Sequence, residues 1–290
     1  MTRRARRAMG ARVVPRRGAG ARQARRATLA CLLAHASIAA PHACDAAFEW
    51  RHAPPASVLP LASGDGAGAL ALFVSPAAVH GPRAAAVSAA QPFALAGARV
   101  GALAVVAGSR VACGIGVGWL RLDGYGEQQA LAAVSFPVGP ARFGLGARLL
   151  AVSIDGYEGA HAVASDVGAE IRPAGWASVG IAAGPFASAG DAGLREAVTP
   201  EVALAASAAI RPEMRLLCET REPAGHPSES TLGISWSPAA VLRCGMAVVV
   251  DPPALRTSVA LAAGAFTIGA SYEERPPLPP TVAASIEVRR

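Results

Sequence analysis

From about residue 98 onward, apolar and charged side chains alternate with a period of two in segment after segment. In Glu213-Met214-Arg215-Leu216-Leu217-Cys218-Glu219-Thr220-Arg221 the odd positions carry Glu, Arg, Leu, Glu and Arg, and the even positions Met, Leu, Cys and Thr. Successive side chains of a strand point to opposite faces, so this is a ribbon with one apolar and one charged side. The last segment follows the same rule. Val282, Ala284, Ile286 and Val288 share one face, and Thr281, Ser285, Glu287 and Arg289 the other. No convincing helical periodicity separates these ribbons, which makes the chain all-β and antiparallel.

Turn signals fall into two classes that take turns along the chain. Pro-containing tight turns stand at 139–140, 172–175, 211–212 and 237–238. Between them lie Asp-Gly or longer connections at 123–126, 155–158, 188–193, 222–230 and 251–253. Alternating short and long connections are what an up-and-down meander gives, with one end trimmed and the other elaborated. About 12 ribbons fit after Ser109, and two more at about 83–93 and 98–107 bring the expected total to about 14. The repeated Leu-Asp-Gly-Tyr at 122 and Ile-Asp-Gly-Tyr at 154 then sit at one end, as hairpin turn chemistry.

Charge separates a leader from the rest. The formal charge is +7, yet ten of the 27 basic residues are arginines within the first 26 positions, and no acidic residue precedes Asp45. Beyond Cys44 the balance is −3, so the basic character does not mark a nucleic-acid binder. The arginines, the apolar stretch from Leu29 to Ala40 and the small residues around Ala43 to Ala47 read as a cleaved export signal. The expected organisation is a leader at 1–44, a loop or plug segment at 45–82 that alternates poorly, and a β-barrel at 83–290. Only helices and closed barrels satisfy every backbone group in lipid, and no stretch after the leader is long and apolar enough for a membrane helix.

Placing the apolar parity outward exposes Val111, Cys113, Ile115, Val117 and Trp119 on one strand and Leu232, Ile234 and Trp236 on another. The lumen then receives Asp166 and Glu170 from one strand and Glu213, Arg215, Glu219 and Arg221 from the next pair. These six are the candidate lumen-facing residues. An arginine facing lipid at mid-membrane costs about 2–4 kcal/mol, so the charged parity belongs inside. In a soluble secreted β-sandwich or solenoid adhesion module the same pattern would bury the apolar side and wet the charges. Export, regular strand spacing and outer faces rich in Ala, Val, Leu and Gly favour the membrane. Against it stand an aromatic content of 5% and an ending, Val288-Arg289-Arg290, that lacks an aromatic residue.

No catalytic constellation emerges. The six His residues include no pair at metal-ligand spacing on a shared face, and His161 reads as an interfacial residue near a strand end. There is no Gly-x-Ser-x-Gly elbow, and the Gly-rich run at 64–68 lacks the Lys of a phosphate loop. Cys113, Cys218 and Cys244 all fall on the apolar parity, as small hydrophobes. The expectation is a non-enzyme with neither metal nor cofactor.

Four stretches carry a family resemblance: Phe143-Gly144-Leu145-Gly146-Ala147-Arg148, Val152-Ser153-Ile154-Asp155-Gly156-Tyr157, Asp166 to Pro173, and Trp176 to Ile181. Together they resemble the central hairpins of PorV/PorQ-like and FadL-like outer-membrane barrel proteins. Ser75-Pro76-Ala77-Ala78-Val79 is similar to the Asn-Pro-Ala-Gly-Leu segment of those proteins, with Ser75 in place of Asn. Tyr272 with Arg275 to Thr281 is similar to their His-Pro-x-Leu-Gly-Pro-Thr-His ending, without the Gly and final His. The resemblance implies a monomeric outer-membrane barrel of about 14 strands. Its partners would be membrane lipid and either a small hydrophobic molecule in passive transport or the proteins of a secretion apparatus.

Overall fold

The computed structural model describes residues 68–290, so the expected leader at 1–44 and most of the segment at 45–82 lie outside the described residues. The 14 strands are β1 Gly81–Gln91, β2 Arg99–Gly108, β3 Ala112–Leu122, β4 Tyr125–Val138, β5 Ala141–Ile154, β6 Ala160–Ala174 and β7 Ala177–Gly190, then β8 Glu201–Arg211, β9 Met214–Pro223, β10 Glu229–Ala239, β11 Leu242–Val249, β12 Ala254–Ala263, β13 Phe266–Arg275 and β14 Leu278–Arg289. Each pairs antiparallel with its neighbours in sequence, and β14 returns to β1 with Val87 opposite Ile286 and Ala89 opposite Ala284. The sheet is a closed up-and-down barrel.

The connections sort by end, as the turn chemistry indicates. At the end that holds the start of β1 they are tight, for example 139–140, 175–176, 212–213 and 264–265. The other end carries the longer ones, including a 3-10 turn at Pro92–Ala94 and the short helix α1, Ala192–Ala197, between β7 and β8. Two tight turns lie a residue or two beyond their prolines: Pro173 and Pro238 are the penultimate residues of β6 and β10. Transmembrane barrels have short periplasmic turns and longer external loops, which orients this one.

Burial alternates along the strands with the sequence period. Val111, Ile115 and Val117 are exposed on or beside β3, while Ala112, Gly114, Gly116 and Gly118 point inward. The exposed apolar residues encircle the wall: Ile115 at 65%, Leu145 at 53%, Leu232 at 53% and Ile268 at 58% come from four separate strands. An apolar belt of this extent is untenable in water and suits lipid. One closed sheet with its apolar face outward therefore excludes the soluble sandwich or solenoid. The outward aromatic residues among the described ones are few and sit at the rims. Phe136, Phe143, Trp236 and Phe266 face outward near the short-turn end, and Phe186 and Tyr272 near the other.

Candidate functional site: the lumen and its plug

A barrel of about eight strands can fill its interior with its own side chains, and a larger one leaves room for something else. Here that room is taken, on the side of β1 to β6, by a plug formed from a 3-10 helix at Gly68–Phe73 and a 3-10 turn at Pro76–Ala78. Leu70, Leu72, Phe73 and Val79 pack against inward Ala86, Ala102, Ala104, Val106 and Leu131 in one buried cluster. Ser75, the residue standing for the family's Asn, caps the turn, its Oγ accepting from the Ala77 N–H at 3.3 Å. Small inward residues let the plug come this close. A Cβ on Gly144 of β5 would lie 2.2 Å from the backbone of Pro76 and Ala77.

Among the described residues, three polar ties fix the plug to the wall. The Ser135 hydroxyl of β4 donates to the Val79 carbonyl, and the Ala69 N–H donates to Glu287 of β14 at 2.9 Å. The third is Arg148 of β5. Its Nε donates to Asp166 of β6 at 2.6 Å, one terminal nitrogen to Gln129 of β4 at 2.9 Å, and the other to the Phe73 carbonyl at 3.1 Å. Both members of the Arg148–Asp166 pair are buried, so each neutralises a charge the other would strand.

At the long-loop end, charges from five strands form a second network. Arg221 of β9 pairs with Glu219 on its own strand and with Glu201 of β8 at 3.4 Å. Arg256 of β12 reaches Glu229 of β10 at 3.2 Å and Glu273 of β13 at 2.7 Å. Arg275 of β13 joins the same two carboxylates at 3.3 and 3.2 Å.

The wall is bulged beside these groups. Between β6 and β7 the register runs Ser165 opposite Phe186, then Val167 opposite Ala183, so Gly184 and Pro185 stand against Asp166 alone. This is a bulge, and its geometry requires glycine: Gly184 has φ +134°, and a Cβ there would lie 2.7 Å from Asp166 Oδ1. A void of about 10 Å³, room for about one water, lies at the bulge. Plug residues Phe73 and Pro76, the polar trio Arg148, Asp166 and Glu201, and wall residues Val167 and Ala183 all touch it.

The six candidates from the sequence divide among separate places. Asp166 belongs to the plug anchor. Glu170, also buried, pairs with Arg172 at 2.7 Å and lies 3.7 Å from His80. Glu219 and Arg221 form part of the external network. Arg215 donates to Ser207 at 3.2 Å, and Glu213 occupies the tight turn after β8, at the opposite end from Arg221. Sequence reasoning did not single out Arg148, Gln129, Glu201, Glu229, Arg256, Glu273 and Arg275. Arg148 was legible as the one charge well inside β5, on the parity opposite Leu145 and Leu149. His161 is exposed at the start of β6, with Nδ1 3.3 Å from Asp191.

No family model and no curated protein sequence matches the chain. Solved structures do match its fold. The monoaromatic hydrocarbon channel TodX, in a mutant form, superposes with a TM-score of 0.59 at 8% identity over 76% of this chain and 94% of that one. The monoaromatic hydrocarbon channel CymD gives 0.57 at 10% identity over 81% and 98%. The toluene transporter TodX of Pseudomonas putida gives 0.52 at 9% identity over 81% and 99%. The closed 14-stranded barrel of this chain is thus the fold of outer-membrane hydrocarbon channels.

Proposed function

We infer that the protein is an outer-membrane channel for the passive passage of small hydrophobic molecules. The observation that carries this reading is the plugged lumen with a bulge in the wall beside it. A wide water-filled pore is incompatible with the buried packing of Leu72, Phe73 and Val79 against the wall of β1 to β6. At the bulge of β6 and β7, by contrast, the plug, a buried ion pair and outward Val167 and Ala183 share one void. An apolar solute that reaches this point has lipid on the far side of the wall. The likeness to channels whose solutes are monoaromatic hydrocarbons and toluene supports this choice of solute. Nothing among the described residues favours a place in a secretion apparatus.

The test is uptake of radiolabelled toluene by cells of a host lacking its own hydrocarbon channel, with and without the protein in the outer membrane. Uptake is expected to rise several-fold, with no matching gain in permeability to a disaccharide. Equal toluene uptake with and without the protein would overturn the reading.

A further inference from the structure

The outer wall carries a feature that transport does not use. On the external half of β2 and β3, Arg99 and Arg121 stand directly opposite each other. Both are exposed and lie on the lipid-facing parity, continuous with Leu103 and Val105 on β2 and with Ile115 and Val117 on β3. Neither makes a hydrogen bond or ion pair with any described residue. Asp123, in the following turn, lies against Gly97 instead. Like charges at opposed positions of a ladder destabilise it unless something negative sits between them.

Below this pair the wall is hollow. Ala130, Ala132 and Ala147 recede between Leu103, Ile115, Val117 and Leu149, leaving an apolar groove of about 480 Å³. A second depression of about 340 Å³ shares Val117, Ala130 and Leu149 with it and extends past Trp119 to Arg121 and Gln128. The Trp119 indole lies over Gly101, at the rim where tryptophans mark the interface. From Arg121 down to Ile115 the strand covers about 20 Å. Tilted by about 40°, that is close to the ~15 Å depth of one leaflet.

We propose that Arg99, Arg121 and the groove beneath them form a binding site for a phosphate-bearing lipid of the external leaflet. The phosphate bridges the two guanidiniums, whose planar forks suit its oxygens, and Gln128 on β4 adds an amide beside them. One acyl chain runs down the alanine-floored groove. The site lies on the lipid side of the wall and is independent of what passes through the lumen.

The experiment is native mass spectrometry of the purified full-length barrel in detergent with added lipopolysaccharide. Three proteins are compared: the unaltered protein, Arg99→Gln/Arg121→Gln, and a control, Arg211→Gln, whose arginine is exposed at the opposite end. Lipid retention is expected to fall about tenfold in the double variant and to stay unchanged in the control. Retention by the double variant equal to that of the unaltered protein overturns the proposal. A measurement without variants covers the case in which the double variant does not fold. Dephosphorylated lipopolysaccharide should then bind the unaltered barrel about tenfold more weakly, and equal binding refutes the bridge. Filling the groove with Ala130→Phe should weaken binding while leaving the two arginines in place, and undiminished binding refutes the acyl-chain contact.

Discussion

Arg148 is the residue on which the interior depends most, because its one guanidinium meets a carboxylate, an amide and a main-chain carbonyl on three separate segments. Removing it strands Asp166, which is 4% exposed and has no bulk water to turn to. Arg148→Ala is therefore expected to cost about 3–5 kcal/mol, read as a shift of the urea unfolding midpoint in lipid vesicles. A replacement of both partners by apolar residues of similar volume should cost much less, because no buried charge then remains. A loss as large in the double replacement as in the single one would show that the pair is not what holds this region. The sequence shows that a charge in β5 must face inward, but not which carboxylate it meets. That depends on the registers of β4, β5 and β6, which parity alone does not set.

Elements were more legible than contacts. All 12 ribbons after Ser109 and both earlier ones correspond to strands, because turn chemistry and a two-residue period act locally. The plug was harder to read. Its segment fails to alternate, which marks it as something other than a strand, while its position is decided by glycines on distant strands. Gly144 makes this testable, since any Cβ there collides with main chain at Pro76 and Ala77 rather than with a movable side chain. Gly144→Val should leave the barrel intact, as a heat-modifiable band on gels, while expelling the turn. In a background with the native cysteines replaced, a thiol introduced by Ser75→Cys should then react with a water-soluble maleimide several-fold faster than in the parent. Unchanged protection of that thiol would mean that the plug does not depend on the gap at Gly144. The bulge at Gly184 had no signal in the sequence beyond a Gly-Pro pair, which reads equally well as a turn.

At the scale of the whole molecule, one parity of every strand is handed to the solvent around it, and the question is which solvent. Composition could not answer, since a sandwich and a membrane barrel use the same residues. Closure of the sheet does answer, because a closed wall has no second sheet against which to hide its outer face. Val259, mid-strand on β12 and 42% exposed, should then tolerate arginine poorly: Val259→Arg is expected to lower the stability of the barrel folded into vesicles by about 2–4 kcal/mol. Val250→Arg, in the turn beyond β11, should cost less than about 0.5 kcal/mol. Equal small effects at both sites would place the wall in water.

The seam between β1 and β14 has a consequence for how such a molecule comes into being. The strand that completes the cylinder is the last of the fourteen to be synthesised, and it also carries Glu287, the acceptor for the Ala69 N–H of the plug. The tie between Ala69 and Glu287 therefore waits until this strand is in place. Closure is thus a late event, and until then a nearly complete, open-edged ribbon must be shielded from its neighbours.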